Sequence, residues 1–162
     1  MICRYIITTF IAVLPYIMYG QENYYKPKYF AVLDSTQGEQ LLDQCSRNRP
    51  DSVVAFWTVR ELEKQLFLHE FKKIISISEA EVITQGPKAW KKYCFQVVGF
   101  RKSAGKYIYL NAFNISSQKE NFKSGIWKKI PVTACGGGDW YWGAVYDVER
   151  KTFIEVDVNV GH

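Results

Sequence analysis

The spacing of apolar residues along this chain changes once, near Tyr93: upstream they recur at helical intervals, downstream on alternate positions. Helical spacing gathers side chains on one face of a helix, whereas alternation gathers them on one face of a strand. Upstream, Thr36 stands three residues before Glu39, a capping-box spacing in which each side chain can serve the other's backbone N–H. Leu41, Leu42 and Cys45 follow at helical spacing and Pro50 closes the segment, which predicts a short helix with Cys45 on its buried side. A second such pair, Thr58 and Glu61, opens the longest helical stretch, from about Val59 to Ile75. Its apolar residues form two half-stripes. Val59, Leu62 and Leu66 point one way, while Phe67, Phe71 and Ile74 lie roughly a quarter turn round the cylinder. That offset requires either burial over a wide arc or a bend near Phe67. Ser76–Lys92 is weakly patterned, with a loop at Gly86–Pro87.

Downstream, Tyr93–Phe100 and Lys106–Phe113 are rich in aromatic and β-branched residues and are separated by Arg101–Gly105, so they read as a hairpin. The polar stretch Asn114–Gly125 predicts a long loop, and about Lys129–Cys135 predicts a third strand ending in Gly136–Gly138. Trp140–Val148 and Thr152–Val160 form a fourth and fifth, joined by the charged turn Glu149–Lys151. In the last strand Ile154, Val156, Val158 and Val160 share one face, and Phe153, Glu155, Asp157 and Asn159 the other. Such alternation predicts a sheet with one face on the core and the other largely wet. Helices followed by a run of strands indicate an α+β fold: two N-terminal helices packed on an antiparallel sheet of about five strands, mostly a meander. This single domain spans 36–162, after an extended arm, 21–35, that is rich in Tyr and Lys around Pro27.

The first twenty residues change the picture of where the domain works. Arg4 precedes an apolar and hydroxyl run, Tyr5–Tyr19, that ends at Gly20, the pattern of an export signal peptide spanning 1–20. The run is shorter than the roughly 20 residues a membrane span needs, and Pro15 interrupts it. Cys3 lies before the run, which disfavours a lipid-anchored signal. The mature protein is therefore expected to start near Gln21, exported, with no stable membrane span. Lys and Arg exceed Asp and Glu by 21 to 16, but the excess is scattered as pairs such as Lys72–Lys73 and Lys128–Lys129. A nucleic-acid binder gathers such charge on one face, so no nucleic-acid partner is expected.

Candidate chemistry is sparse. Cys45, Cys94 and Cys135 survive signal cleavage, and an oxidising compartment favours one disulfide with one thiol left over. No cysteine pair has metal-ligand spacing, and neither His69 nor His162 is spaced to join one, so no metal and no cofactor are expected. Gly136–Gly138 and Asp139 lead into an aromatic strand rather than a helix, which marks a tight turn rather than a phosphate cradle. His69 sits among charged residues and reads as a surface histidine, and the Asp157, Asn159 and His162 set follows from strand alternation. Aromatics carry the functional expectation. Trp140, Trp142 and Tyr146 share one face of the fourth strand, and Tyr107 and Tyr109 one face of the second. Such faces can stack on a sugar ring or anchor a protein; the competing arrangement packs the same rings beneath the helices.

Five stretches are similar to a family of small exported proteins found mainly in Bacteroidota: Gly38–Arg47, Phe56–Trp57, Phe95–Gly99, Tyr107–Phe113, and Cys135–Asp147 with Phe153 after it. The resemblance implies a periplasmic or secreted setting and a disulfide between Cys45 and Cys135, leaving Cys94 free. It implies no activity. Gly136 departs from the acidic residue expected there, which removes a functional carboxylate from that turn. The resulting expectation is a non-catalytic binding or interaction module of the cell envelope, with a protein or carbohydrate partner. The alternative is a small extracytoplasmic hydrolase, which a deep pocket with convergent polar groups would mark.

Overall fold

A computed structural model describes residues 25–161. The expected export signal, 1–20, the start of the expected arm and His162 lie outside the described residues. The helical part runs through α1 (Gly38–Leu42), α2 (Glu61–Glu70), α3 (Glu81–Thr84), α4 (Pro87–Trp90) and α5 (Lys119–Ser124). The strands are β1 (Phe30–Val32), β2 (Ala55–Trp57), β3 (Tyr93–Lys102), β4 (Gly105–Asn114), β5 (Tyr141–Asp147) and β6 (Thr152–Val158). The fold is therefore α+β around one six-stranded sheet.

The β3–β4 hairpin is its axis. Its ladder runs from Tyr93 opposite Asn114 to Lys102 opposite Gly105 across a two-residue turn. β4, β5 and β6 follow in sequence order, each antiparallel to the last. On the other edge of β3, β1 lies parallel to one end and β2 antiparallel to the other. The sheet is thus mixed, with six strands where the sequence predicts about five antiparallel ones. Part of the extended arm became β1, too short to carry a period of its own.

Both faces of the sheet are covered, which corrects the expectation of a wet face. On one, Phe95, Val97, Ile108, Leu110, Trp142 and Tyr146 pack against Phe67, Phe71, Ile74, Ile83 and Trp90 from the helical segments. On the other, Val98, Phe100, Tyr107, Tyr109 and Val145 meet Leu33, Leu41 and Leu42, while Cys94, Phe113 and Tyr141 meet Trp127 and Val132. β3 and β4 are accordingly buried along nearly their whole length.

A bulge explains the misread last strand. The β5–β6 register slips between Val145 and Tyr146, so Tyr146 faces Phe153 while Val145 faces Glu155. The extra residue, Ile154, is half exposed, and Phe153 joins Val156 and Val158 on the helix-covered face. Near the long helix, Glu63 accepts a 3.0 Å bond from the Arg60 N–H, two residues on from the predicted cap. Thr58 instead serves a turn: its hydroxyl accepts from the Ser35 N–H at 3.0 Å and donates to Asp34 at 3.4 Å. Asp34, not Thr36, caps the first turn, accepting from the Thr36 N–H at 2.9 Å. α2 ends at Glu70 and tightens into a 3-10 segment, Phe71–Ile77, which is how the two offset half-stripes are reconciled. Phe67, Phe71 and Ile74 are buried, whereas Leu62 is exposed.

The predicted third strand, 129–135, is not one. That stretch follows α5 and a short 3-10 turn as irregular chain, and the reason lies in the second face of the sheet.

Candidate functional site

Strand register places Gln96 opposite Asn111, Asn111 opposite Gly143, and Gly143 opposite Asp157, a polar row across the middle of the second face. Gln96 and Asn111 are fully buried, so their amides need partners. They find them in the irregular stretch. Gln96 Nε2 donates to the carbonyls of Trp127 at 2.6 Å and Ile130 at 2.8 Å, and its Oε1 accepts from the Val132 N–H at 2.9 Å. Asn111 Nδ2 donates to the Val132 carbonyl at 2.8 Å. Buried Gln44 and Asn159 continue the pattern, Gln44 with the Val132 carbonyl and Ala134 N–H, Asn159 with the carbonyls of Ala134 and Gly136. Backbone groups that a neighbouring strand would have paired are paired by side-chain amides instead.

Arg47 lies in the same layer with 8% of its surface exposed. Its Nη2 donates to Asn111 Oδ1 at 2.6 Å, while Nε and Nη1 are buried without a partner. Gly143 makes room: a Cβ there would come within 2.6 Å of Nη1 and 3.0 Å of the Tyr109 hydroxyl. Burial pulls the Arg47 pKa down, opposed by Tyr109 and Asp157, and burial pushes that of Tyr109 up. Two residues before Arg47, Cys45 is bridged to Cys135 with Cα atoms 5.1 Å apart, the pair that the resemblance implied. Beside the bridge, Ser46 Oγ accepts from the Gly136 N–H at 2.5 Å.

This anchored stretch ends in a presented side chain. Gly136, Gly137 and Gly138 have φ of +79°, +86° and +50°, a left-handed run open to glycine at little cost. It delivers the chain into the 3-10 turn Gly138–Trp140, where the Asp139 carbonyl accepts from the Tyr93 hydroxyl at 2.5 Å. The Trp140 side chain then stands at the surface, 52% exposed.

Trp140 thereby parts from the other predicted aromatics. Trp142 and Tyr146 are buried in the helix-covered face, Trp142 within 5.8 Å of Phe95 and Tyr146 within 5.4 Å of Phe67, ring centre to ring centre. Tyr107 stacks on Phe100 at 5.3 Å on the opposite face, and Tyr109 is buried with it. The five residues form no common surface, because both faces of the sheet are covered. Cys94 is buried and its thiol is pushed up to about 12 by burial, with Lys128 opposing. His69 lies on the exposed side of α2, its Nδ1 3.1 Å from Glu70. It lines an open groove of about 510 Å³ with Leu62, Lys64 and Lys151. Among the described residues no cluster of three or more His, Cys, Asp or Glu is placed to hold a metal, and no helix is long and apolar enough to cross a membrane.

Sequence reasoning missed Arg47, Gln44, Gln96, Asn111 and Asn159. A signal for two of them existed: Gln96 and Asn111 each interrupt an apolar run, Phe95–Val98 and Ile108–Phe113, at a position that alternation turns inward. Comparison with protein families, with curated proteins and with solved structures returns no match for this chain.

Proposed function

We propose that this protein is a non-catalytic exported binding module and that Trp140 anchors its protein or carbohydrate partner. The observation that carries this reading is a half-exposed indole on a turn held by backbone, side-chain and disulfide bonds. A large aromatic surface kept in one orientation binds without the entropy cost of ordering it first. The disulfide is consistent with an oxidising, exported setting. The signal-peptide pattern of 1–20 supports the same location.

Trp140→Ala tests the reading against partners captured by the oxidised protein or against soluble oligosaccharides. Loss of an aromatic anchor is expected to weaken binding by roughly thirtyfold, with Trp140→Phe recovering part of it. Unchanged affinity for every ligand bound by the parent protein would remove Trp140 from the contact. Iodide quenching supplies a second readout, since Trp90, Trp127 and Trp142 are buried, Trp57 is half-buried and Trp140 is the most exposed of the five indoles.

A further inference from the structure

Thiol–disulfide exchange needs a sulfur that an attacking thiolate can reach. Cys45 and Cys135 are both exposed, and Cys45 lines an open cavity of about 320 Å³ with Ser46, Asn48, Asp157 and Val160. Cys94 is fully buried and far less acidic than an ordinary thiol, so the bridge is the reachable sulfur among the described residues.

What the bridge holds differs from what the sheet holds. It closes a span of 90 residues between two segments that have no strand partners. One is the stretch 129–137, tied by side-chain amides; the other is Ser46–Asn48, which keeps Arg47 in the polar layer with two N–H-bearing nitrogens unpaired. Unpaired buried donors favour opening to water, and closure of the long span opposes it. β3, β4 and β5 are joined by continuous ladders and packed by the aromatic cluster on the far face.

We propose that Cys45–Cys135 is an exchange site for a dithiol reductant, and that its reduction releases the Ser46–Asn48 and Val132–Trp140 segments while β3, β4 and β5 stay folded. The inference rests on the reading of Trp140 as the anchor, because release of this stretch dissolves the orientation of that side chain. In the exchange, a thiolate of the reductant attacks one sulfur of the bridge, forms a mixed disulfide and expels the other cysteine as a thiolate. The reductant's second thiol then displaces the first cysteine. The reductant leaves as a disulfide and the protein keeps two thiols, two electrons and two protons having passed to it. Arg47 then reaches water, Gln44 and Asn111 lose the Val132 carbonyl, and Gln96 loses the Val132 N–H while keeping the Trp127 and Ile130 carbonyls.

Amide hydrogen exchange on the folded protein, with and without dithiothreitol, tests this. Residues 44–48 and 130–140 are expected to exchange roughly a hundredfold faster after reduction, with β3–β5 changing only a few-fold. The Cys45→Ser, Cys135→Ser double variant should match the reduced protein without any reductant, and Cys94→Ala should match the parent in both states. Protection of 130–140 that survives confirmed reduction overturns the proposal, as does simultaneous loss of protection throughout the sheet. A bridge that dithiothreitol leaves intact in the folded protein overturns it too. None of these results touches the Trp140 reading, which Trp140→Ala tests on the oxidised protein.

Discussion

One face of the central sheet is closed by rings and the other by amides, and the two depend on different chemistry. On the helix-covered face Phe67, Phe71, Trp90, Trp142, Tyr146 and Phe153 meet edge to face or tilted, with ring centres mostly between 5.1 and 6.2 Å apart. The helical segments above them satisfy their own backbone hydrogen bonds, so only apolar surface has to match. On the second face α1 covers one part, and over the middle the cover is irregular chain with backbone groups to satisfy, which Gln44, Gln96, Asn111 and Asn159 do at cost to the apolar surface beneath. The middle of a sheet face can thus be closed by irregular chain, provided side chains on the strands replace the missing ladder and a covalent bridge pins the cover.

The widest contrast should come from truncating one residue on each face. Trp142→Ala removes a fully buried indole from the ring cluster and is expected to cost roughly 3–5 kcal/mol, read as a lower denaturant midpoint with the slope unchanged. Asn111→Ala removes less volume but takes from the Arg47 guanidinium its 2.6 Å acceptor and leaves the Val132 carbonyl with Gln44 alone, and about 2–3 kcal/mol is expected. Equal losses at the two positions would mean that the amide layer is as deeply coupled to stability as the rings. A loss below about 0.5 kcal/mol for Asn111→Ala would mean that water replaces its bonds and that the layer does not hold the cover.

Raising the pH should strike the ring face through its phenols. Burial, with Glu70 and Asp147 adding to it, pushes Tyr146 up to about 12, and burial does the same for Tyr93. Their folded-state values lie above the ordinary phenol value of about 10. The stability they contribute is therefore complete below about pH 10 and is lost as the pH rises through about 12. Denaturant midpoints measured across that window should fall, and more shallowly in Tyr146→Phe. Because the Tyr146 hydroxyl is buried without a partner, this variant should equal or exceed the parent in stability at neutral pH. The smallest effect belongs to Trp140→Ala, whose half-exposed side chain predicts a stability change within about 0.5 kcal/mol. A larger loss would show that the indole braces the turn rather than standing free of it.

Much of the sheet was legible along the chain. The β3–β4 and β5–β6 hairpins declare themselves by alternation interrupted at turn residues, and those ladders lie within two residues of their predicted bounds. The helix after Thr58 was visible too, though its end at Glu70 was not, since the change to 3-10 geometry answers to packing rather than to residue preference. The Val145/Tyr146 bulge was invisible because a slip of one residue leaves composition unchanged while reversing every side chain beyond it. Among the candidate contact residues, Trp140 and Trp142 have the same parity and nearly the same neighbours in sequence. Only the end of the ladder at Tyr141 separates a surface ring from a core ring.

The sequence by itself determined the α+β class, the two hairpins and the positions of the cysteines, because periodicity and turn chemistry are local properties of the chain. Which two cysteines would meet was only an expectation drawn from a resemblance; the fold pairs Cys45 with Cys135. Tertiary structure alone decided that both faces of the sheet are covered, that 129–135 is tied by Gln96 and Asn111 instead of pairing as a strand, and that Arg47 lies buried above Gly143. Each of these depends on contacts between segments tens of residues apart, where a buried polar group is satisfied by whatever the fold brings to it. The exposure of Trp140 belongs with them, since burial is a property of the assembled layers and not of the residue.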